Sequence, residues 1–219
     1  MQQLQGKFNR KTPPMKHKSL VLSTVIAGAF LFCGPQAAMA EALISKSFSY
    51  FTIGGKTAED LDQELSRRGP MTKSTGARHP GATEIKFGGE LTYVEQNGRC
   101  GVGSVQVKLH TKILLPRWTN RKRTSAELAL IWDTLAADIK RHEERHAEIA
   151  RNYARILEKR LSSLRPQKSC DEIQSLVGKT TQEVMNAHDK DQLRFDVVES
   201  KNFDARMTRL LKNRLMQQR

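Results

Sequence analysis

The fold is decided by one uninterrupted stretch, TSAELALIWDTLAADIKRHEERHAEIARNYARILEKRLSSLR, residues 124–165. It holds no glycine or proline before Pro166, and apolar residues recur every three to four positions from Leu128. Thr124 and Glu127 have the spacing of a capping box at a helix start. The pattern predicts one helix of about forty residues, unusually long for a globular domain. The inward positions are predicted to be residues 128, 132, 135, 139, 142, 146, 149 and 153.

Upstream of this helix the apolar period falls to two residues. Alternating runs between residues 83 and 113 flank the turn signal Asn97-Gly98, which predicts an antiparallel hairpin. Residues 43–53 indicate a further strand, and a short helix is predicted from the N-cap Thr57 to Gly69-Pro70.

A second helical pattern follows Cys170 and fades into a basic C-terminal tail. Strands followed by long helices predict an α+β fold. We expect residues 41–200 to form one domain, in which a small antiparallel sheet packs against the long helix and a second C-terminal helix. Residues 201–219 are predicted to be the basic tail.

Residues 1–40 have the three parts of a secretory signal peptide. Five lysines and arginines and no acidic residue precede an apolar run, which is followed by Ala38-Met39-Ala40. The apolar run is too short to span a bilayer comfortably. We therefore expect cleavage after Ala40 and a periplasmic or secreted chain without a membrane span; the alternative is an uncleaved N-terminal anchor.

Charge limits the class of partner. The signal segment removes five of the 37 basic residues, and the remaining 32 against 23 acidic residues give a net charge of +9. Such a charge favours an anionic envelope surface, namely lipid or cell-wall polymer. Export and the lack of mixed aromatic and basic clusters argue against nucleic acid.

Two cysteines, Cys100 and Cys170, remain after cleavage. An even pair in an exported chain predicts a disulfide, closing a loop of about 70 residues. Two free buried thiols are the alternative.

The long helix carries His142-Glu143-Glu144-Arg145-His146. Histidines four residues apart lie on one side of a helix and can bind the same Zn²⁺ ion. Glu143 is then placed to act as the general base of a peptidase, as in zincin-like folds. The competing interpretation is a pair of core histidines hydrogen-bonded to carboxylates.

A third zinc ligand must come from further along the chain, because Ile149 and Asn152 stand where the short H-x-x-G-x-x-H extension needs glycine and histidine. On the second helix His188 is the first choice, and Asp196 and Glu199 are the carboxylate alternatives. A surface role for His188 fits its polar surroundings equally well.

These features resemble a bacterial family of unknown function described as predicted secreted zinc-dependent proteases, over about Phe48 to Asp196. The resemblance implies that His142 and His146 are zinc ligands and Glu143 the catalytic base. Relatives continue into a Thr-x-His-Gly element, whereas Lys201 stands where that histidine would fall. The resemblance rests on the signal peptide, Cys100, Leu115-Pro116-Arg117-Trp118, the His142–His146 motif, Ser169-Cys170 and Phe195-Asp196.

Together these observations predict a periplasmic or secreted zinc metallopeptidase that acts on a peptide or protein substrate in the envelope. The strand at Val105–Ile113 is either the strand beside the substrate or simply a core strand. The alternative is a non-catalytic envelope protein, in which the metal staples two helices and the basic surface binds anionic cell wall or membrane.

Overall fold

The computed structural model describes residues 42–72 and 76–217, so the predicted signal peptide lies outside the described residues. The α+β class is confirmed. The described elements are β1 (Leu43–Ile53), α1 (Ala58–Arg68), β2 (Ala82–Gln96), β3 (Arg99–Trp118), a 3-10 turn (Arg121–Arg123), α2 (Ala126–Ser162), α3 (Cys170–Lys201) and α4 (Phe203–Gln217).

The three strands form one sheet in the order β1-β3-β2. β2 and β3 are the predicted antiparallel hairpin, and positive φ angles of 53° at Asn97 and 69° at Gly98 suit its tight turn. β1, however, runs parallel to β3, with Phe48 beside Ile113. The expected purely antiparallel sheet is therefore wrong, and the sheet is mixed. Alternation along a strand sets which face is buried and carries no information on the direction of the neighbouring strand.

One face of the sheet packs against the helices. On β3 the side chains of Val105, Val107 and Leu109 point to this face and are buried, while Lys108 and His110 lie on the exposed face. This alternation follows from the period of two along a strand. The helices supply the other half of this core through Ala150, Ala154, Leu157 and Leu161 of α2 and Val177 and Val184 of α3.

Helix α2 has 37 residues and begins one residue later than predicted, because Ser125, not Thr124, accepts the N-cap hydrogen bond from Leu128. Its buried face departs from the predicted stripe after Ile139. The buried positions from there to residue 157 are Glu143, Ala147, Ala150, Ala154 and Leu157, rather than 142, 146, 149 and 153. Small alanine side chains form the contact face, which rotates the two histidines to the flank of the helix.

Helix α3 returns antiparallel along α2. Near the end of α2, Arg160 pairs with Glu183 of α3. Two turns earlier on α2, the hydroxyl of Tyr153 donates to Asp191, which lies two turns later on α3. Residues 203–217, predicted only as part of a basic tail, form helix α4. It contacts α2 through Arg206, which pairs with Asp138. None of the helices in the described part of the chain combines the length and apolar character that a membrane crossing needs.

The predicted disulfide between Cys100 and Cys170 is present, with a Cα–Cα distance of 5.0 Å. It joins the start of β3 to the first turn of α3. Cys100 also exchanges two main-chain hydrogen bonds with Gln167, of 2.9 and 2.8 Å. The sheet is thus fastened to the connection between the two long helices.

Replacing both cysteines with alanine is expected to lower the free energy of unfolding by up to about 4 kcal/mol, because the bond closes a loop with a sequence separation of 70 residues. Urea unfolding followed by circular dichroism measures the change. Wild-type protein in excess reductant serves as the comparison that leaves the side chains in place. An unfolding midpoint unmoved by reductant would contradict this prediction.

Candidate metal centre

Three potential ligand atoms converge between α2 and α3: Nε2 of His142, Nε2 of His146 and Oδ1 of Asp196. The two nitrogens are 3.0 Å apart, and Oδ1 lies 3.4 Å from His142 and 2.9 Å from His146. A tetrahedral zinc ion with bonds of about 2.0–2.1 Å has ligands about 3.3 Å apart. The three atoms therefore form a triangle close in size to one face of a zinc tetrahedron, and the donor set of two imidazoles and one carboxylate suits that ion.

Gln192 holds the ring of His146 with Nε2 toward this triangle, and an acidic side chain lies near the corresponding far nitrogen of His142. Oε1 of Gln192 lies 2.5 Å from Nδ1 of His146, and the amide of the same glutamine donates to the main-chain oxygen of His146 over 3.1 Å. On His142, Oε2 of Glu199 lies 3.8 Å from Nδ1. Oriented partners on the far nitrogen are a regular feature of metal-binding histidines.

Phe195 packs against both rings. It stacks on His142 with ring centroids 4.9 Å apart, and meets His146 edge-on at 5.1 Å. The aromatic ring thus restricts the rotation of both imidazoles. Such packing of the supporting residues is what keeps ligand geometry fixed.

The triangle is partly buried on the α2 side and more open on the α3 side. The side chains of His146 and His142 are 14% and 27% exposed and that of Asp196 is 49% exposed, which leaves access for a water molecule or substrate. Burial acts to raise the pKa of Asp196, but hydrogen bonds from His142 and His146 outweigh it, and the pKa lies below its usual range. Burial acts to lower the pKa of His146, but Asp196 and Gln192 outweigh it, and that pKa is raised.

Glu143 is the most buried residue of the motif. It packs against Gly81, where a Cβ atom would come within 3.0 Å of the Glu143 Cγ and Oε1 atoms. The hydroxyl of Thr83, at the start of β2, lies 2.8 Å from its Oε2. Burial raises the pKa of Glu143, while the Thr83 hydrogen bond and the charges of His146 and His142 partly offset the rise. A carboxylate with these properties is suited to accept and return a proton.

Of the three residues proposed as a third ligand, Asp196 joins the histidines. His188 is buried between Phe87 and Tyr153, and its Nε2 contacts Gln192 instead. Glu199 lies behind His142 and pairs with Arg141 and Arg206. The order of preference drawn from the sequence thus differs from the arrangement in the structure.

The sequence did contain a signal for this arrangement. His188, Gln192, Asp196 and Glu199 succeed one another by four, four and three residues, so they share one face of α3. The periodicity predicts which residues share that face of α3, but it does not predict which of them lies opposite the histidines of α2. Gln192 and Phe195, which fix the rings, received no role from the sequence because glutamine and phenylalanine are rarely diagnostic of a site.

The fold and site define a class: an α+β protein whose long helix carries a His-Glu-x-x-His group, with an aspartate of the following helix beside it. The chain belongs to the family described as bacterial protein of unknown function (DUF922), whose model matches residues 48–202. This confirms the resemblance stated above as to the family. Comparison with curated proteins and with solved structures found no match.

Glu143→Gln is expected to stabilise the metal-free protein at neutral pH. Because folding raises the pKa of Glu143, the ionised carboxylate is disfavoured in the folded chain, and stability is lost as the pH rises through that pKa. The gain from glutamine should vanish below about pH 4.3, where the unfolded glutamate is itself protonated. Urea unfolding in chelator, at several pH values between about 4 and 8, measures this difference.

Glu144→Gln is the matched control, since Glu144 is half-exposed and its carboxylate lies 3.6 Å from Lys46. It should give no such gain. If Glu143→Gln destabilised the metal-free protein at neutral pH, the burial argument would be wrong.

Proposed function

We propose that the protein is an exported zinc-dependent peptidase. The observation that carries the proposal is the triangle of His142, His146 and Asp196, next to the buried carboxylate of Glu143. The family assignment neither names an activity nor argues against this one.

The donor set and its exposure both favour a catalytic zinc site. Catalytic zinc is held by three protein ligands, and the fourth position is left for water or substrate. His142 and His146 would supply two nitrogens, and Asp196 one oxygen from its half-exposed side chain. A bound zinc ion would act as a Lewis acid and lower the pKa of a coordinated water to about 7.

Glu143 would take the proton during attack on the peptide carbonyl and return it to the leaving amine. The carboxylate lies close enough to His142 and His146 for their charges to lower its pKa. Thr83 holds one carboxylate oxygen by a hydrogen bond, so the side chain has a fixed direction. The raised pKa favours return of the proton in the second half of the reaction.

A peptide substrate would lie along β2. Of the two interpretations of the strand at Val105–Ile113, a core strand fits better than a substrate-binding strand, because β3 is the central strand and both of its edges are occupied. β2 is an edge strand of the described sheet, and Thr83 at its start contacts Glu143. An extended peptide can add to such an edge through main-chain hydrogen bonds.

The competing proposal is a metal that only staples α2 to α3 in a non-catalytic envelope protein. The ligands do come from both helices, so a metal would link them. A structural zinc site is usually closed by four protein ligands. The exposure of Asp196, and the position of Glu143 beside the site, favour the catalytic proposal instead.

Asp196→Asn is expected to reduce zinc binding strongly, while His188→Asn leaves it near one ion per chain. The reason is that Asp196 completes the triangle, whereas His188 contacts Gln192. Metal content of the purified protein, measured by elemental analysis beside a His142→Ala/His146→Ala variant, tests the site. Zinc lost in His188→Asn and kept in Asp196→Asn would assign the third ligand to His188.

Activity is tested on unfolded protein substrates with Glu143→Gln. This variant should bind zinc like the wild type and cleave at least about 1000-fold more slowly, because it keeps the ligands and lacks the base. Undiminished cleavage by Glu143→Gln would contradict the mechanism. If the wild type binds zinc but cleaves no substrate, the competing proposal of a structural metal that links α2 to α3 is favoured.

Export is tested by the mass of the mature chain. A disulfide between Cys100 and Cys170 supports an oxidising compartment, and the sequence of residues 1–40 supports a cleaved signal. We expect the chain recovered from the periplasm or medium to begin at Glu41. A chain that stays cytoplasmic with an intact N-terminus would exclude export.

A further inference from the structure

We propose that Arg206 on α4 is a positioning residue of the metal centre. Its hydrogen bonds link the C-terminal end of α3 to α2 and thereby keep Asp196 and Glu199 next to the two histidines. This role rests on the proposed zinc function.

Arg206 contacts both long helices at once. Toward α2, its Nε lies 3.0 Å from Oδ1 of Asp138, and its Nη2 lies 3.1 Å from Oδ2. Toward α3, its Nη1 donates to the main-chain oxygen of Glu199 over 3.2 Å, and its Nη2 lies 3.3 Å from Oε2 of the same residue. One planar guanidinium therefore joins the two helices through these three hydrogen bonds and one ion-pair contact.

The pairing partner on α2 makes this contact rigid. The side chain of Asp138 is 4% exposed, and that of Arg206 is 12% exposed. Burial acts to raise the pKa of Asp138, but hydrogen bonds from Arg206 and Arg141 outweigh it, and the pKa is lowered. A buried carboxylate must keep its partners, so Arg206 is held in place.

The two residues that Arg206 joins, Asp138 and Glu199, each lie one helical turn from a proposed metal ligand. Asp138 precedes His142 by four residues, and Glu199 follows Asp196 by three, so each pair shares a helix face. Fixing Asp138 to Glu199 therefore fixes the separation of His142 and Asp196. Glu199 is also the carboxylate 3.8 Å from Nδ1 of His142, on the side of the ring away from the triangle.

Arg141 alone gives a weaker hold. It also bonds Asp138 and Glu199, but its side chain is 43% exposed and lies on α2 itself. Arg206 comes from a third helix, outside the residues 48–202 that match the family. Helix α4 thus becomes part of the site through one side chain.

Arg206→Met is expected to weaken zinc binding by the folded protein about 10- to 100-fold, the usual loss when a supporting partner of a metal ligand is removed. The full chain is expressed so that it is processed in the cell, and zinc affinity is measured by competition with a chromogenic chelator. Hydrogen exchange of the metal-free protein should also show faster exchange at residues 192–199.

Two further variants keep the test decisive. Arg206→Lys preserves the charge beside Asp138, and so the fold, but replaces the planar five-donor guanidinium with a single compact ammonium group; its zinc affinity should fall between wild type and Arg206→Met. Arg209→Met removes an exposed cation from the same helix and should match the wild type in both measurements.

The outcomes separate the two proposals. If the wild type, Arg206→Met and Arg206→Lys all bind zinc with the same affinity, the proposed role of Arg206 is wrong and the peptidase proposal is unaffected. Loss of thermal stability in Arg206→Met with unchanged zinc affinity would also overturn it, because a purely structural residue behaves in that way. A wild type that binds no zinc would contradict the proposed function and the role of Arg206 together.

Discussion

The contact between the alanine face of α2 and the sheet sets the rotation of the long helix, and the site depends on that rotation. Ala150 and Ala154 have no exposed surface, and Ala147 is also buried. With these residues facing the strands, Glu143 points inward and meets Thr83. The histidines lie about 60° to 100° around the helix axis from Glu143 and face α3 instead. The rotation of α2 therefore buries the carboxylate of Glu143 and leaves the imidazoles of His142 and His146 accessible.

The alignment of α3 along α2 then selects the third member of the triangle. Because the two helices are antiparallel, earlier residues of α2 contact later residues of α3. The pairs are Arg160–Glu183, Tyr153–Asp191 and Arg141–Glu199. His188 lies eight residues before Asp196, which is about 12 Å along a helix. It therefore meets Tyr153 rather than His146. The disulfide joins Cys170 in the first turn of α3 to Cys100 on β3 and so restrains the start of this helix.

Local signals carried most of the fold in advance. The length of α2, the turn at Asn97-Gly98, the cap at Thr57 and the disulfide are properties of short segments or of residue type, and all were predicted. The parallel direction of β1 and the level at which α3 meets α2 depend on contacts between distant segments. Periodicity does not encode such contacts, so the third residue of the site was placed only among alternatives. Helix α4 was missed although its apolar residues recur at helical spacing, at 203, 207, 210, 211 and 215, because the many basic residues of this segment indicated a solvated tail.

Asp196 brings a third potential ligand atom to the two imidazoles, although Lys201 stands where the resemblance led us to expect a histidine. Lys201 is the last residue of α3 and is exposed, whereas Asp196 lies more than one turn earlier, level with the two imidazoles. A carboxylate at this level reaches Nε2 of His146 directly. Glu199, the other acidic residue near the site, is engaged by Arg141 and Arg206 and so is not free to serve as a ligand. Two carboxylates on one helix face thus take different parts because one lies beside two arginines and the other beside two histidines.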